Sequence, residues 1–215
     1  MTCVLFWCVQ LVALLASSFA FWAAGCGGSP APAKDGPPAS APAAPWFQEQ
    51  AQARGLVFRH RSGHESEYLF PELMGGGAAL FDMDGDGDLD AFLVQSGSLT
   101  RPHAAGDHHR LFENRGAGRF ADVTAGSGVD VTGYGMGVAT GDYDADGDVD
   151  LFVTNVGADV LLANEGGGHF RDVTAEAGVG DSNWGTSACF FDYDADGDLD
   201  LFVANYVRWS LDTER

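Results

Sequence analysis

The chain has 215 residues and a formal charge of −20, from 31 acidic against 11 basic side chains. A surface this negative repels nucleic acid and anionic lipid and attracts cations, so neither polyanion is an expected partner. The 30 glycines between short apolar runs, with lysine nearly absent, point to tight turns in an all-β chain.

Residues 4–24 form a nearly uninterrupted apolar run, followed by Gly25-Cys26-Gly27-Gly28 and the Pro/Ala-rich stretch SPAPAKDGPPASAPAAP. An apolar segment, small residues and then a linker that cannot bury a core read as an export signal. Residues 1–25 are taken as that signal, 26–45 as the linker and 46–215 as the folded part. Ala23-Ala24-Gly25-Cys26 resembles a bacterial lipobox with Ala at position 23 in place of Leu, so lipidation at Cys26 leads the expectations. Cleavage and secretion, or a retained span, are the alternatives, and the run is long enough to cross a bilayer. Each places residue 46 onward outside the cytoplasm, with membrane contact only through an N-terminal lipid or anchor. Three of the four cysteines, Cys3, Cys8 and Cys26, lie in this region, leaving Cys189 alone in the folded part. With no C-x-x-C pair, zinc and redox motifs are absent, and Cys189 is expected as a small buried apolar side chain.

A short helix is expected near residues 46–54. An Asp-rich segment then appears three times. Asp82, Asp84, Asp86, Asp88 and Asp90 recur as Asp142, Asp144, Asp146, Asp148 and Asp150, and again as Asp192, Asp194, Asp196, Asp198 and Asp200. The flanks repeat as well. AALF, VATG and ACFF precede the three loops, and AFLV, LFVT and LFVA follow them. RLFEN and VLLAN come next, then GRFADVT and GHFRDVT. The first unit is longer than the second because of one polar insertion within residues 97–109, expected as an exposed loop. Four short strands per repeat of this length is the spacing of a propeller blade. Runs such as LFVT lack alternation, which predicts strands covered on both faces.

The loops have the chemistry of a calcium site. Calcium takes six to eight oxygens in flexible geometry. Counting Asp82 as position one, carboxylates at positions one, three, five and nine supply them, Gly87 at position six permits the turn, and position seven offers its carbonyl. Unit charges about 4 Å apart repel by roughly 4 kcal/mol at an effective dielectric near 20, and a divalent ion reverses that sign. The competing reading, an acidic solvated turn without an ion, weakens with three copies in matching contexts. The loops are not EF-hands, because position twelve is Leu93, Val153 or Val203 within a strand-like run. The position-nine Asp is therefore expected to close the site.

The units resemble the FG-GAP or VCBS repeats of integrin-α-type β-propellers. FRHRSGHESEYLFPELMGGGAALFDMDGDGDLD and YGMGVATGDYDADGDVDLFVTN are more narrowly similar to the ASPIC/UnbV, cartilage-acidic-protein-like family. That resemblance implies a calcium-stabilised propeller with a C-terminal module. With about three blades and no such module in this sequence, an incomplete, truncated propeller is expected.

No catalytic motif is complete. His64-Glu65 begins a zinc-protease motif but continues to Tyr68, and Gly185-Thr186-Ser187-Ala188 ends at Cys189 where a nucleophile elbow needs Gly. Gly116-Ala117-Gly118 reads as a turn. His103, His108 and His109 read as a solvated loop over a transition-metal site, and Tyr134 and Trp184 as inter-blade packing over a recognition rim. The expectation is a non-enzymatic, extracytoplasmic calcium-binding repeat protein acting in adhesion or protein interaction, its partners calcium and a surface protein or glycan. The alternatives are a scaffold for an exported enzyme whose site lies in further blades, or a glycan-binding propeller.

Overall fold

The computed structural model describes residues 45–101 and 108–214. The chain divides into two compact units, Met1–Gln48 and Glu49–Arg215. The export segment, Cys26, nearly all of the linker and His103 lie outside the described residues.

Ten strands follow in chain order among the described residues. They are β1 (Ala78–Phe81), β2 (Asp90–Leu93), β3 (Arg110–Asn114), β4 (Phe120–Asp122), β5 (Gly135–Gly141), β6 (Asp150–Asn155), β7 (Val160–Asn164), β8 (Phe170–Asp172), β9 (Gly185–Phe191) and β10 (Asp200–Asn205). They pair as antiparallel meanders, β1-β2-β3-β4, then β5-β6-β7-β8, then β9-β10. These are the four-stranded blades of a β-propeller, with two strands of the third among the described residues. Each Asp loop is the hairpin between the first two strands of its blade. Phe81 pairs with Asp90, Gly141 with Asp150 and Phe191 with Asp200.

Alternation within each strand sends one set of side chains forward to the next blade and the other back to the previous one. From the first blade, Phe81, Phe92 and Leu111 point forward and meet Leu151, Val153, Leu162 and Phe170 of the second. From the second, Ala139, Phe152 and Leu161 point forward and meet Phe190, Leu201 and Val203 of the third. Hence β6 is buried at all six positions, and its LFVT run has no polar face to show. The sheets also meet at their first strands. A Cβ on Gly77 would come within 3.1 Å of the Gly137 Cα, and one on Gly137 within 2.6 Å of the Thr186 carbonyl oxygen. Glycine suits both close approaches, and at Gly137 a Cβ would force the backbones apart.

Three expectations are corrected. The helix near 46–54 is a single 3-10 turn, Gln52–Arg54. Its residues form the last part of a repeat. AQARGL at 51–56 takes the place of TAGSGV at 124–129, since Gly55 packs on the Phe120 carbonyl as Gly128 packs on that of Phe170. Cys189 is exposed, because it lies on the forward side of the third blade. The 97–109 insertion is not wholly exposed, for Ser98 and His109 are buried. His109 accepts the Gln95 N–H through Nδ1 at 3.1 Å and sits against Phe92, and burial pushes its imidazole down to about 4, so the ring is neutral. Tyr134, Met136 and Trp184 form a small core, which is the packing role expected of both aromatics. Among the described residues no helix is long and apolar enough to cross a membrane.

The same repeat position is occupied by Phe152, fully buried, and by Phe202, 58% exposed. Phe152→Ala should cost about 3–5 kcal/mol in urea unfolding. Phe202→Ala should cost less than about 0.5 kcal/mol. Equal losses would contradict the assignment of forward faces.

Candidate metal centre

Each loop is wound by its own carboxylates. The first Asp accepts backbone N–H groups from the turn it begins. Asp82 accepts from Gly85 at 2.9 Å, Asp86 at 3.2 Å and Gly87 at 2.9 Å. Asp142 accepts from Asp146 at 3.1 Å and Gly147 at 3.0 Å, and Asp192 from Asp196 at 3.2 Å and Gly197 at 3.1 Å. The fifth-position Asp repeats the device one turn later, with Asp86, Asp146 and Asp196 accepting from Asp88, Asp148 and Asp198. Such side-chain-to-backbone bonds are why Asp favours turns.

The backbone must turn left-handed twice. Position six is Gly in each loop, with φ of 87° at Gly87 and 100° at Gly147 and Gly197. Position four is also left-handed. It is Gly85 in the first loop but Ala145 and Ala195 in the others, at φ 57° and 61°. Alanine there carries a steric cost of about 1 kcal/mol relative to glycine.

The ninth-position Asp has a second job that sequence spacing did not show. Asp90 and Asp150 are each 1% exposed. Asp90 accepts the Met83 N–H at 2.9 Å and the Asn114 N–H at 2.7 Å. Asp150 accepts the Tyr143 N–H at 2.8 Å and the Asn164 N–H at 2.7 Å. Asp200 accepts the Tyr193 N–H at 2.7 Å, and its blade has no β3 equivalent among the described residues. One carboxylate thus ties the loop to β2 and to the end of β3. Asn114 and Asn164 close the same corner, donating to the Leu89 and Val149 carbonyls, and Asn164 also donates to the Met83 carbonyl of the preceding blade at 2.8 Å. The signal for them lay in the chain: an Asn six residues before the Phe of the next strand in both complete units.

Three carboxylates converge in each loop. Oxygens of Asp82, Asp84 and Asp86 lie within 4.8 Å of one another, as do those of Asp142, Asp144 and Asp150, and of Asp192, Asp194 and Asp200. The ninth position joins the group in the second and third loops, whereas Asp86 takes that place in the first. The seventh-position side chains turn aside, Asp88 toward Gly116 and Asp148 toward Gly166. Burial raises the Asp150 carboxyl to about 6 and raises Asp90 as well, against the pull of their backbone donors. These clusters of hard oxygen donors on turns with fixed backbone geometry fit an oxygen-seeking divalent cation. Among the described residues the histidines form no such group. His109 is buried in apolar contact and His108 pairs with Arg110.

A meander of four-stranded blades, each opened by an Asp hairpin, defines a partial β-propeller with a metal-competent loop in every blade. The chain belongs to the FG-GAP-like repeat family, which matches residues 82–153 and 142–203 and so spans more than half of its length. No curated protein matches the chain.

Anchor and ligand roles separate by mutation. In chelated protein, Asp150→Ala leaves the buried Asn164 N–H and the part-buried Tyr143 N–H unpaired and should lower stability by about 2–4 kcal/mol. Asp144→Ala, which removes an exposed member of the same group, should change it little. Ala145→Gly should raise stability by about 0.5–1 kcal/mol, read as a shift in urea midpoint.

Proposed function

We propose that this chain is an exported, extracytoplasmic calcium-binding repeat protein whose blades serve protein interaction, with calcium in a structural role and no catalysis by these blades. The observation that carries the reading is the convergence of three carboxylates in each of three loops wound by backbone donors. Calcium is favoured over magnesium because the clusters combine several carboxylates on irregular turns, where the smaller ion demands near-ideal octahedral geometry. Asp82, Asp84 and Asp86, then Asp142, Asp144 and Asp150, then Asp192, Asp194 and Asp200 would hold it. A bound divalent ion supplies positive charge where like charges about 5 Å apart otherwise repel by about 3 kcal/mol a pair at an effective dielectric near 20. The apolar leader, the lipobox-like Ala23–Cys26 and the linker support export and lipid anchoring at Cys26. Extracellular modules bind calcium at about 10⁻⁴ to 10⁻³ M, which suits that compartment. The resemblance to the ASPIC/UnbV, cartilage-acidic-protein-like repeats supports an adhesion or interaction role, with a surface protein or a glycan as the partner.

The pH dependence tests this reading. Without a cation, folded Asp150 holds its proton up to about 6 while the unfolded chain loses it near 3.8. This carboxyl therefore lowers stability as pH rises from about 4 to 6, and a cation removes that penalty. The gain in melting temperature on adding millimolar calcium to chelated protein should be larger at pH 7.5 than at pH 5, where protons compete for Asp150. A gain that is absent at pH 7.5 would sink the calcium reading.

A further inference from the structure

The Asp hairpins mark one end of each blade, and the turns from second to third strand mark the other. At this second end one buried polar side chain stands just before the third strand, His109 before β3 and Asp159 before β7. Each is 1% exposed. Each accepts the N–H of the residue five places after the last Asp of its loop. His109 Nδ1 takes the Gln95 N–H at 3.1 Å, and Asp159 Oδ1 takes the Asn155 N–H at 2.8 Å. Each also lies under the first glycine of the next blade. A Cβ on Gly135 would come within 2.8 Å of His109 Cε1, and one on Gly185 within 2.8 Å of Asp159 Oδ1. The second polar atom of each, His109 Nε2 and Asp159 Oδ2, has no hydrogen-bond partner in the protein.

The two positions are alike in geometry and unlike in chemistry. The His109 ring is neutral, whereas the Asp159 carboxyl can ionise. An ionised carboxylate accepts at both oxygens, and Asp159 is offered one donor. The charged group that acts on it among the described residues is Asp181, of the same sign. Asp181 is held below the usual carboxylate range by the Asn205 Nδ2 at 2.6 Å and by the Asn183 N–H at 3.1 Å, so it stays ionised. Thr154 of β6, Gly185 of β9 and Asn205 of β10 carry no charge. Burial first, and Asp181 second, push the Asp159 carboxyl up to about 7 against the pull of the Asn155 N–H.

Asp159 also sits where the second blade meets the third. Its backbone N–H donates to the Asp181 carbonyl at 2.9 Å, and the Gly157 N–H to the Asn183 carbonyl at 3.0 Å. Val156 and Trp184 form an isolated bridge between the same two segments. The Tyr206 N–H donates to the Trp184 carbonyl at 3.0 Å, which continues the strip into the third blade. The Gly185 backbone lies directly over the carboxyl. A charge on Asp159 therefore reaches water only if this strip moves, and a buried carboxylate short of donors is costly.

We propose that Asp159 is a proton-dependent latch between the second and third blades: protonated, it lets residues 181–184 lie closed on the 156–159 turn, and ionised, it lifts them away. The joint between the first and second blades, with neutral His109 in the same place, holds no such latch over the same range. The latch lies at the end of the blades away from the Asp loops, and it stands independently of calcium there.

The test compares the full chain with Asp159→Asn, in mild detergent and at one fixed calcium concentration. Asparagine keeps an acceptor for the Asn155 N–H and cannot ionise. Folded Asp159 keeps its proton to about 7 while the unfolded chain loses it near 3.8, so wild-type stability falls as pH rises between these values. Asp150 titrates in both proteins and cancels in the difference. In urea unfolding, the folded-to-unfolded ratio of the variant should rise relative to wild type by about tenfold or more from pH 5 to pH 8. Hydrogen exchange of the Gly157 and Asp159 N–H groups, corrected for its intrinsic pH dependence, should accelerate over that interval in the wild type and stay level in the variant. Exchange of the Gln95 N–H, which bonds to His109, should stay level in both. Should Asp159→Asn fold poorly, Asp159→Ser, smaller and equally unable to ionise, replaces it with the same expectations. A stability difference that does not change with pH overturns the proposal. So does exchange at Gly157 and Asp159 that accelerates alike in wild type and variant.

Discussion

One buried carboxylate per blade joins the loop to the sheet. Asp90 and Asp150 each accept one N–H from within their own loop and one from the end of the third strand. Both lie at the start of a strand buried against neighbours, so water cannot solvate the charge. Burying a carboxylate is unfavourable unless its oxygens are satisfied, and two backbone donors satisfy them. The corner is then rigid, and the four other Asp of the hairpin project from a fixed base. Asn164 extends the joint across the blade boundary to the Met83 carbonyl, so loop geometry and inter-blade packing are one connected network.

That joint explains why the loops can concentrate charge without falling apart. Backbone N–H groups gather the carboxylates of positions one and five into the turn, where repulsion alone would spread them. The left-handed Ala145 and Ala195 show that the turn is enforced even where alanine is sterically costly. A cation is the natural complement of such an arrangement. Its contribution is greatest where a group member is also buried, as Asp150 is, because there the protein offers the least solvation.

Much of this was legible in the chain because the repeat carries it. The loop spacing, the apolar runs on either side and the LxxN and FxDVT segments mark every strand of two blades. The unbroken apolar character of LFVT revealed burial on both faces. What escaped was long-range. Nothing local distinguishes Asp90, a member of no carboxylate group in its loop, from Asp150, which belongs to one. Cys189 reads as a core residue from its neighbours, and only the forward direction of its strand puts it outside. His109 reads as solvated from its polar surroundings, yet its ring is drawn in by Phe92 and the Gln95 N–H. The 51–56 segment kept too little of the repeat's composition to be recognised, and its kinship shows in the contact of Gly55 with Phe120.

The claim at the centre is that the loops hold calcium through their grouped carboxylates. Crystals grown in millimolar calcium and measured where calcium scatters anomalously test it most directly. The account predicts a peak in each loop, about 2.3–2.6 Å from the oxygens of Asp82, Asp84 and Asp86 and of the two corresponding groups. Loops free of anomalous density, with the carboxylates in the same places, would contradict it.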